Sequence, residues 1–146
     1  MKIGIVSDHG GYILKKKLIL YLVDKYEVMD YVTNSEESVD YPDFAFKLGS
    51  KLINKSIDFG IAICKTGIGM SIALNKVHGV LCVKADSTTD SLYARKHNNA
   101  NAIAISGALS FRKAKKIIDK FLTSNFEIEE RHLKRIEKIK DYENEC

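Results

Sequence analysis

Short apolar runs alternate with stretches of helical period along this chain. The first run, Ile-Gly-Ile-Val at 3–6, predicts a strand. Leu14, Leu18 and Leu22 then recur every fourth residue, which predicts a helix over 12–25 with Lys15, Lys16 and Lys17 in water. A second strand follows at 27–31. The polar stretch 33–40 ends at Tyr41-Pro42-Asp43, where the only proline opens an amphipathic helix running to about 54. Apolar runs at 59–64, 79–84 and 102–105 predict three more strands. Helices are predicted at 70–75, 86–97 and 110–122, the last with Ser110 as its N-cap. A final helix over about 129–141 sets Ile128, His132, Ile136 and Ile139 on one side.

Strands that alternate with helices imply a parallel sheet covered on both faces. The expected class is α/β. It is a Rossmann-like three-layer αβα sandwich with a five-stranded parallel sheet, spanning 1–146 as one domain. The extra C-terminal helix looks appended and is expected to reach a partner subunit. Right-handed crossovers gather the C-terminal ends of the strands on one edge. Asp8 and His9, Cys64 and Thr66, and Asp86 fall just beyond strands, so they are expected on that edge, where ligands bind in open α/β sheets.

Composition narrows the classes. A chain of 146 residues buries roughly two-thirds of the surface its unfolded form exposes, enough for a sizeable core. Hydrophobic residues at 45% and charged residues at 29% fit an ordinary globular protein. The balance of 23 Lys+Arg against 19 Asp+Glu, a net +4, suits anionic metabolites. No basic stripe interleaved with aromatics points to nucleic acid. Cys64, Cys82 and Cys146 are odd in number and unrelated in spacing, so neither a disulfide framework nor a zinc motif is expected, and the reducing cytoplasm is the natural compartment. Met1-Lys2 leads straight into a strand, so no signal peptide is expected, and no apolar run reaches membrane-spanning length.

The stretch 60–76, GIAICKTGIGMSIALNK, carries the most chemistry. Cys82, inside the run 80–83, reads as a small hydrophobe, as buried cysteines commonly do. Cys64 ends its strand at a glycine turn. A helix N-terminus and a neighbouring cation, here Lys65, are surroundings that activate a thiol as nucleophile or as general base. Gly67-Ile68-Gly69 lacks the third glycine of a dinucleotide fingerprint, since Ile72 stands there, and no P-loop motif occurs. It reads as a tight strand-to-helix connection or as an oxyanion-binding array. The array would use unpaired N–H groups from Gly67 to Ser71 beside the Thr66 and Ser71 hydroxyls. Asp8-His9-Gly10-Gly11 is a second glycine turn, in which Asp8 either caps the first helix or joins His9 in handling hydroxyls or phosphate. His97, before Asn98-Asn99, complements a helix dipole or acts chemically. Arg131 and Arg135, at i and i+4 with His132 beside them, form a solvated face or a phosphate clamp.

Together these motifs resemble the type B ribose-5-phosphate isomerases, within the wider family that includes galactose-6-phosphate and allose-6-phosphate isomerases. The likeness rests on Ser7-Asp8-His9-Gly10-Gly11, on Asp40-Tyr41-Pro42, and on Cys64 followed by Thr66-Gly67-Ile68-Gly69-Met70-Ser71-Ile72-Ala73. Asn75-Lys76, Ala94-Arg95-Lys96-His97-Asn98, and Arg131-His132 with Arg135 continue it, in the family's order, over nearly the whole chain. The resemblance implies an isomerase without metal or cofactor, interconverting ribose 5-phosphate and ribulose 5-phosphate through a cis-enediolate in the non-oxidative pentose phosphate pathway. It implies Cys64 as the base between C2 and C1, with Thr66 assisting proton exchange at the oxygens. Gly67, Ile68, Gly69, Met70 and Ser71 would form the anion hole, and His97 would open the furanose ring. Asp8 would contact ring hydroxyls, Tyr41 and Asn98 would orient the sugar, and His9, Arg131 and Arg135 would hold the phosphate. Sites shared between subunits are implied too, hence a homodimer or a dimer of dimers, with no nucleic acid or membrane partner.

The chain departs from the family pattern at three places. Lys65 stands where glycine is usual, Leu109 where an arginine commonly joins the phosphate site, and Glu129-Glu130 where two glycines precede Arg131. Arg112 or Lys113 is a candidate substitute for the missing arginine. Leu109 keeps a second expectation open, an isomerase of a six-carbon aldose 6-phosphate. A sugar-phosphate-binding protein without catalysis is the third, opposed by the retained Cys64, Thr66 and His97.

Overall fold

The computed structural model describes residues 1–31 and 39–145. Five parallel strands, β1 (Lys2–Ser7), β2 (Glu27–Asp30), β3 (Phe59–Cys64), β4 (Cys82–Lys84) and β5 (Ala102–Ser106), form one sheet in the order β2-β1-β3-β5-β4. The helices are α1 (Tyr12–Leu22), α2 (Tyr41–Ile53), α3 (Ile68–Leu74), α4 (Thr88–Lys96), α5 (Phe111–Thr123) and α6 (Glu130–Glu145), with a 3-10 turn at His9–Gly11. The expected α/β class and five-stranded parallel sheet are both present. Most of the polar stretch expected at 33–40, and Cys146, lie outside the described residues.

Alternation along the strands decides which helix packs where, because successive side chains point to opposite faces. Ile3, Ile5, Ile61, Ile63, Ile103 and Ile105 pack against Leu14 and Leu18 of α1 and Ile117, Ile118 and Phe121 of α5. The other face carries Ala62, Cys64, Ala102 and Ala104 beneath Leu48 of α2 and Met70 and Leu74 of α3. Here the helices come close: a Cβ on Gly4 would lie 2.4 Å from Ile57 Cδ1 and 2.8 Å from Leu48 Cδ1. Each fully buried isoleucine or leucine contributes roughly 1.5–3 kcal/mol, so a slip in register on either face is costly. Cys64 is therefore the last position of a small-residue stripe, where an isoleucine would not fit the pattern.

Local signals set the helix ends. Pro42 lies in the first turn of α2, and the Ser110 hydroxyl accepts the Lys113 N–H at 3.3 Å, as its N-cap role predicts. Helix α4 starts two residues later than the pattern suggests because Ser87 and Asp90 form a reciprocal capping box. Strand β4 starts at Cys82 rather than 79, since Gly79 takes φ +82° and Val80 N–H closes a turn on Val77 O. The Asn75 side chain then pairs with the Cys82 backbone in both directions, at 2.9 and 2.8 Å.

Two placements differ more. Lys15, expected in water, is 1% exposed and bonds Asp30 Oδ1 at 2.7 Å. The buried stripe of α1 is wider than its leucines, and the Asp30 carboxylate at the end of β2 offsets the buried charge. On α6, His132 and Ile136 face inward, but Ile128 precedes the helix and is 78% exposed, and Ile139 is half in water. That apolar side holds for about one turn, around the point where His132 meets His97. Among the described residues, no helix is long and apolar enough to cross a membrane.

Candidate active site

Strand order creates the site. The chain leaves β1 towards β2 on one side and returns to β3 on the other, which opens a crevice at the C-terminal ends of β1 and β3. Three loops meet there. Asp8 N–H bonds Ile63 O at 3.1 Å, and Gly107 N–H bonds Cys64 O at 2.8 Å. The Ser106 hydroxyl donates to Lys65 O at 2.7 Å and accepts from Ala108 N–H at 3.1 Å. A Cβ on Gly107 would stand 2.1 Å from Gly10 O, so the β1 and β5 loops cross backbone to backbone. Ser106 ties the β3 and β5 loops together, a link that sequence reasoning missed; its only signal is a hydroxyl at the end of a strand.

Cys64 is buried at the floor of this crossing, and Gly67 donates its N–H to Sγ at 3.1 Å. Ile68 N–H donates to Thr66 Oγ1 at 3.2 Å, and Ser71 N–H to Gly67 O at 3.2 Å. The unpaired array expected from Gly67 to Ser71 is thus narrower. The turn's own sulfur, hydroxyl and carbonyl consume three donors, and among the described residues the N–H groups of Gly69 and Met70 remain without an acceptor. Tyr41 closes over this spot, since a Cβ on Gly69 would lie 2.7 Å from its Cζ. Two free amides, a buried thiol and a hydroxyl suit proton transfer beside a developing oxyanion.

The remaining residues of this edge divide. Asp8 is buried and its Oδ1 accepts Gly11 N–H at 3.2 Å, so it caps the 3-10 turn. His9, Lys65 and Thr66 are exposed around the mouth. Asp86 stands apart at the sheet margin, beyond β5; it pairs with Lys84, and its N–H bonds Asp90 Oδ2 at 2.9 Å. Cys82 is chemically quiet, with burial pushing its thiol up to about 12.

His97, Asn98, Arg131 and Arg135 form a second group that does not meet the first. Helix α4 returns antiparallel to the sheet, so His97 caps it near the start of β5, whereas Cys64 pairs with Ser106 at the end of β5. Four residue steps of parallel strand separate the two levels by about 13 Å. His97 meets two rings, Tyr93 at 4.7 Å and His132 at 4.5 Å between centroids. Its Nε2 is 4.0 Å from Glu127 Oε2. Asn98 Nδ2 bonds Tyr93 O at 3.3 Å. Arg131 and Arg135 are exposed, and Arg131 Nε pairs with Glu129 Oε2 at 2.6 Å, an effect of the acidic pair preceding it. Nitrogen and oxygen atoms of His97, Glu127 and His132 lie within 4.8 Å of one another, the one such potential metal-ligand group among the described residues.

The profile of the Ribose/Galactose Isomerase family matches residues 3–139. The chain is similar to ribose-5-phosphate isomerase B of Escherichia coli, at 37% identity over 94% of this chain and 93% of that one. It is also similar in structure to Clostridium thermocellum ribose-5-phosphate isomerase B, with a TM-score of 0.96 and 41% identity over 99% of each chain. A Mycoplasma genitalium ribose-5-phosphate isomerase B, solved with bound ribulose 5-phosphate, matches with a TM-score of 0.93 and 42% identity over 99% of this chain and 97% of that one.

Proposed function

The chain belongs to the ribose/galactose isomerase family, and on that premise we propose that it is a ribose-5-phosphate isomerase of the cytoplasm, serving the non-oxidative pentose phosphate pathway. The observation that carries the reading is Cys64 Sγ at the floor of a turn whose Gly69 and Met70 amides have no acceptor among the described residues. After ring opening, the aldehyde at C1 acidifies the hydrogen on C2. Cys64 removes that proton, the electron pair moves to the C1 oxygen, and the cis-enediolate forms. Return of the proton to C1, with C2 becoming the carbonyl, gives ribulose 5-phosphate. A positioned base contributes about 10²–10⁴-fold. Amides held for the enediolate oxygens add stabilisation that appears only as charge develops. Thr66 exchanges protons at the oxygens.

His97 opens the ring, Asp8, Tyr41 and Asn98 orient the sugar, and His9, Arg131 and Arg135 hold the phosphate. Because His97 and Cys64 stand at opposite ends of β5, one chain does not complete this set. The reading therefore includes a homodimer in which one protomer's His97, Asn98 and arginines enter its partner's Cys64 crevice, with α6 at the interface. A symmetric dimer forms two such sites at once.

Leu109 favours one alternative, an isomerase of a six-carbon aldose 6-phosphate. It packs onto the core beside α5 instead of presenting a cation. The test is direct: kcat/KM measured side by side on ribose 5-phosphate and on allose and galactose 6-phosphates. Preference for the pentose supports the proposal; preference for a hexose replaces it. Activity is expected to survive chelator treatment.

A further inference from the structure

His132 is the residue whose placement the reaction above leaves unused. It is 3% exposed, and its Nε2 is buried with no hydrogen-bond partner. Glu129 Oε2 is the nearest carboxylate oxygen, at 3.7 Å, beyond hydrogen-bond reach and already paired with Arg131. A histidine held for its polar atoms would have them satisfied. This one instead presents a ring face, stacked on His97 with an interplanar angle of 12°. Tyr93 also lies against the His97 ring, 4.7 Å away between centroids and tilted by 31°.

The cluster is better read as a clamp than as a metal centre. A metal ion binds imidazole nitrogen near the ring plane, about 2.0–2.1 Å away for zinc. Two rings stacked at 4.5 Å and 12° have planes that do not meet near their nitrogens, so no single ion lies in both. The same geometry suits orientation. His97 ends a helix and is half-buried, so an unsupported imidazole there would sample several rotamers.

We propose that His132 is a positioning residue for His97. Its buried ring and the exposed ring of Tyr93 fix the His97 imidazole in one plane, with Nε2 towards Glu127, ready for the partner's sugar. This role rests on the ring-opening function assigned to His97 above. The clamp is built within one protomer, so it is in place before any substrate arrives. Small displacements of a catalytic group cost up to about 10²-fold in rate. Loss of the clamp is therefore expected to lower turnover by about 10- to 100-fold, in the step that needs ring opening.

The experiment compares the wild-type chain with His132→Ala, His132→Phe and Tyr93→Ala in two measurements. One is kcat/KM on ribose 5-phosphate, which is largely cyclic. The other is the inhibition constant of a four-carbon phosphohydroxamate, an acyclic mimic of the enediolate that needs no ring opening. The two alanine variants are expected to lose turnover by about 10- to 100-fold while hydroxamate affinity stays within about threefold. His132→Phe keeps the stacked ring and abandons no Nε2 hydrogen bond, so it should recover most of the loss. Tyr93 is 46% exposed, so Tyr93→Ala carries the test even if His132→Ala fails to fold. Unchanged turnover, a parallel loss of hydroxamate affinity, or His132→Phe as poor as His132→Ala would each overturn the role. A wild-type chain inactive on every aldose phosphate would instead overturn the isomerase reading itself.

Discussion

Gly67 donates its N–H to Cys64 Sγ across 3.1 Å from a backbone at φ +80°. Both facts fall on one residue. The Thr66–Gly67 peptide aims that amide back at the sulfur, and the left-handed turn at Gly67 then carries the chain into α3. A side chain is penalised there twice, by the conformation and by a Cβ that would lie 2.9 Å from the Ile105 carbonyl carbon.

Gly67→Ala is accordingly expected to cost about 1–2 kcal/mol or more in stability and to remove most activity. Gly79→Ala is the control. It has a similar φ of +82°, but its Cβ would meet only the end of the Ile53 side chain, at 2.9 Å. Chemical denaturation should find both variants destabilised, while isomerase assays should find only Gly67→Ala impaired. Equal activity in the two would detach the turn from catalysis.

The separation of Cys64 from His97 makes a prediction about mixed subunits. Cys64→Ala and His97→Gln are each expected to be inactive alone. Co-expressed, half of the dimers formed at random are mixed, and each mixed dimer holds one intact site of two, so about a quarter of wild-type activity should return. A co-expressed pair as inactive as its parents would mean that the two residues do not share a site across the dimer.

Cys82 gives a pH prediction. Burial raises its thiol from 9.0 to about 12, so between those values the folded state holds a proton that the unfolded state has lost. Stability from this group is complete below about pH 9 and declines as pH rises towards 12. Cys82→Ala should flatten the alkaline fall in stability over pH 9–11 relative to wild type. Denaturation midpoints across that range measure it, and an unchanged slope would assign the alkaline loss to other groups.

Much of this architecture was legible in the sequence because its signals are local. Strands of alternating isoleucine and small residues, the Leu14-Leu18-Leu22 stripe and the Ser110 cap each carry their own period or chemistry. Lys15 was misread because a helix period cannot reveal that Asp30, fifteen positions on, waits to pair with it. The donor array was overcounted for a similar reason. A sequence displays amides at Gly67, Ile68 and Ser71 but not the sulfur, hydroxyl and carbonyl that occupy them. His132 stayed hidden because stacking on His97 joins residues thirty-five positions apart, and Ser106 because its work is done on the carbonyl of another loop.

The crossing of the β1 and β5 loops supplies a further prediction. Gly107→Ala places a Cβ against backbone, which has no rotamer to yield, so the loops must part. A loss of about 1–3 kcal/mol is expected, with a matching fall in activity as the Cys64 carbonyl loses its Gly107 partner. Wild-type stability in this variant would show that the crossing is looser than the geometry requires.

If Cys64 moves the proton in ribose 5-phosphate isomerisation, removing its thiol from a folded protein must stop turnover. Formation of ribulose 5-phosphate is followed with wild-type protein and with Cys64→Ala, both verified as folded by thermal denaturation. Turnover by the wild type and a fall of about 10²–10⁴-fold in the variant are expected. Full activity in Cys64→Ala would mean that another group moves the proton.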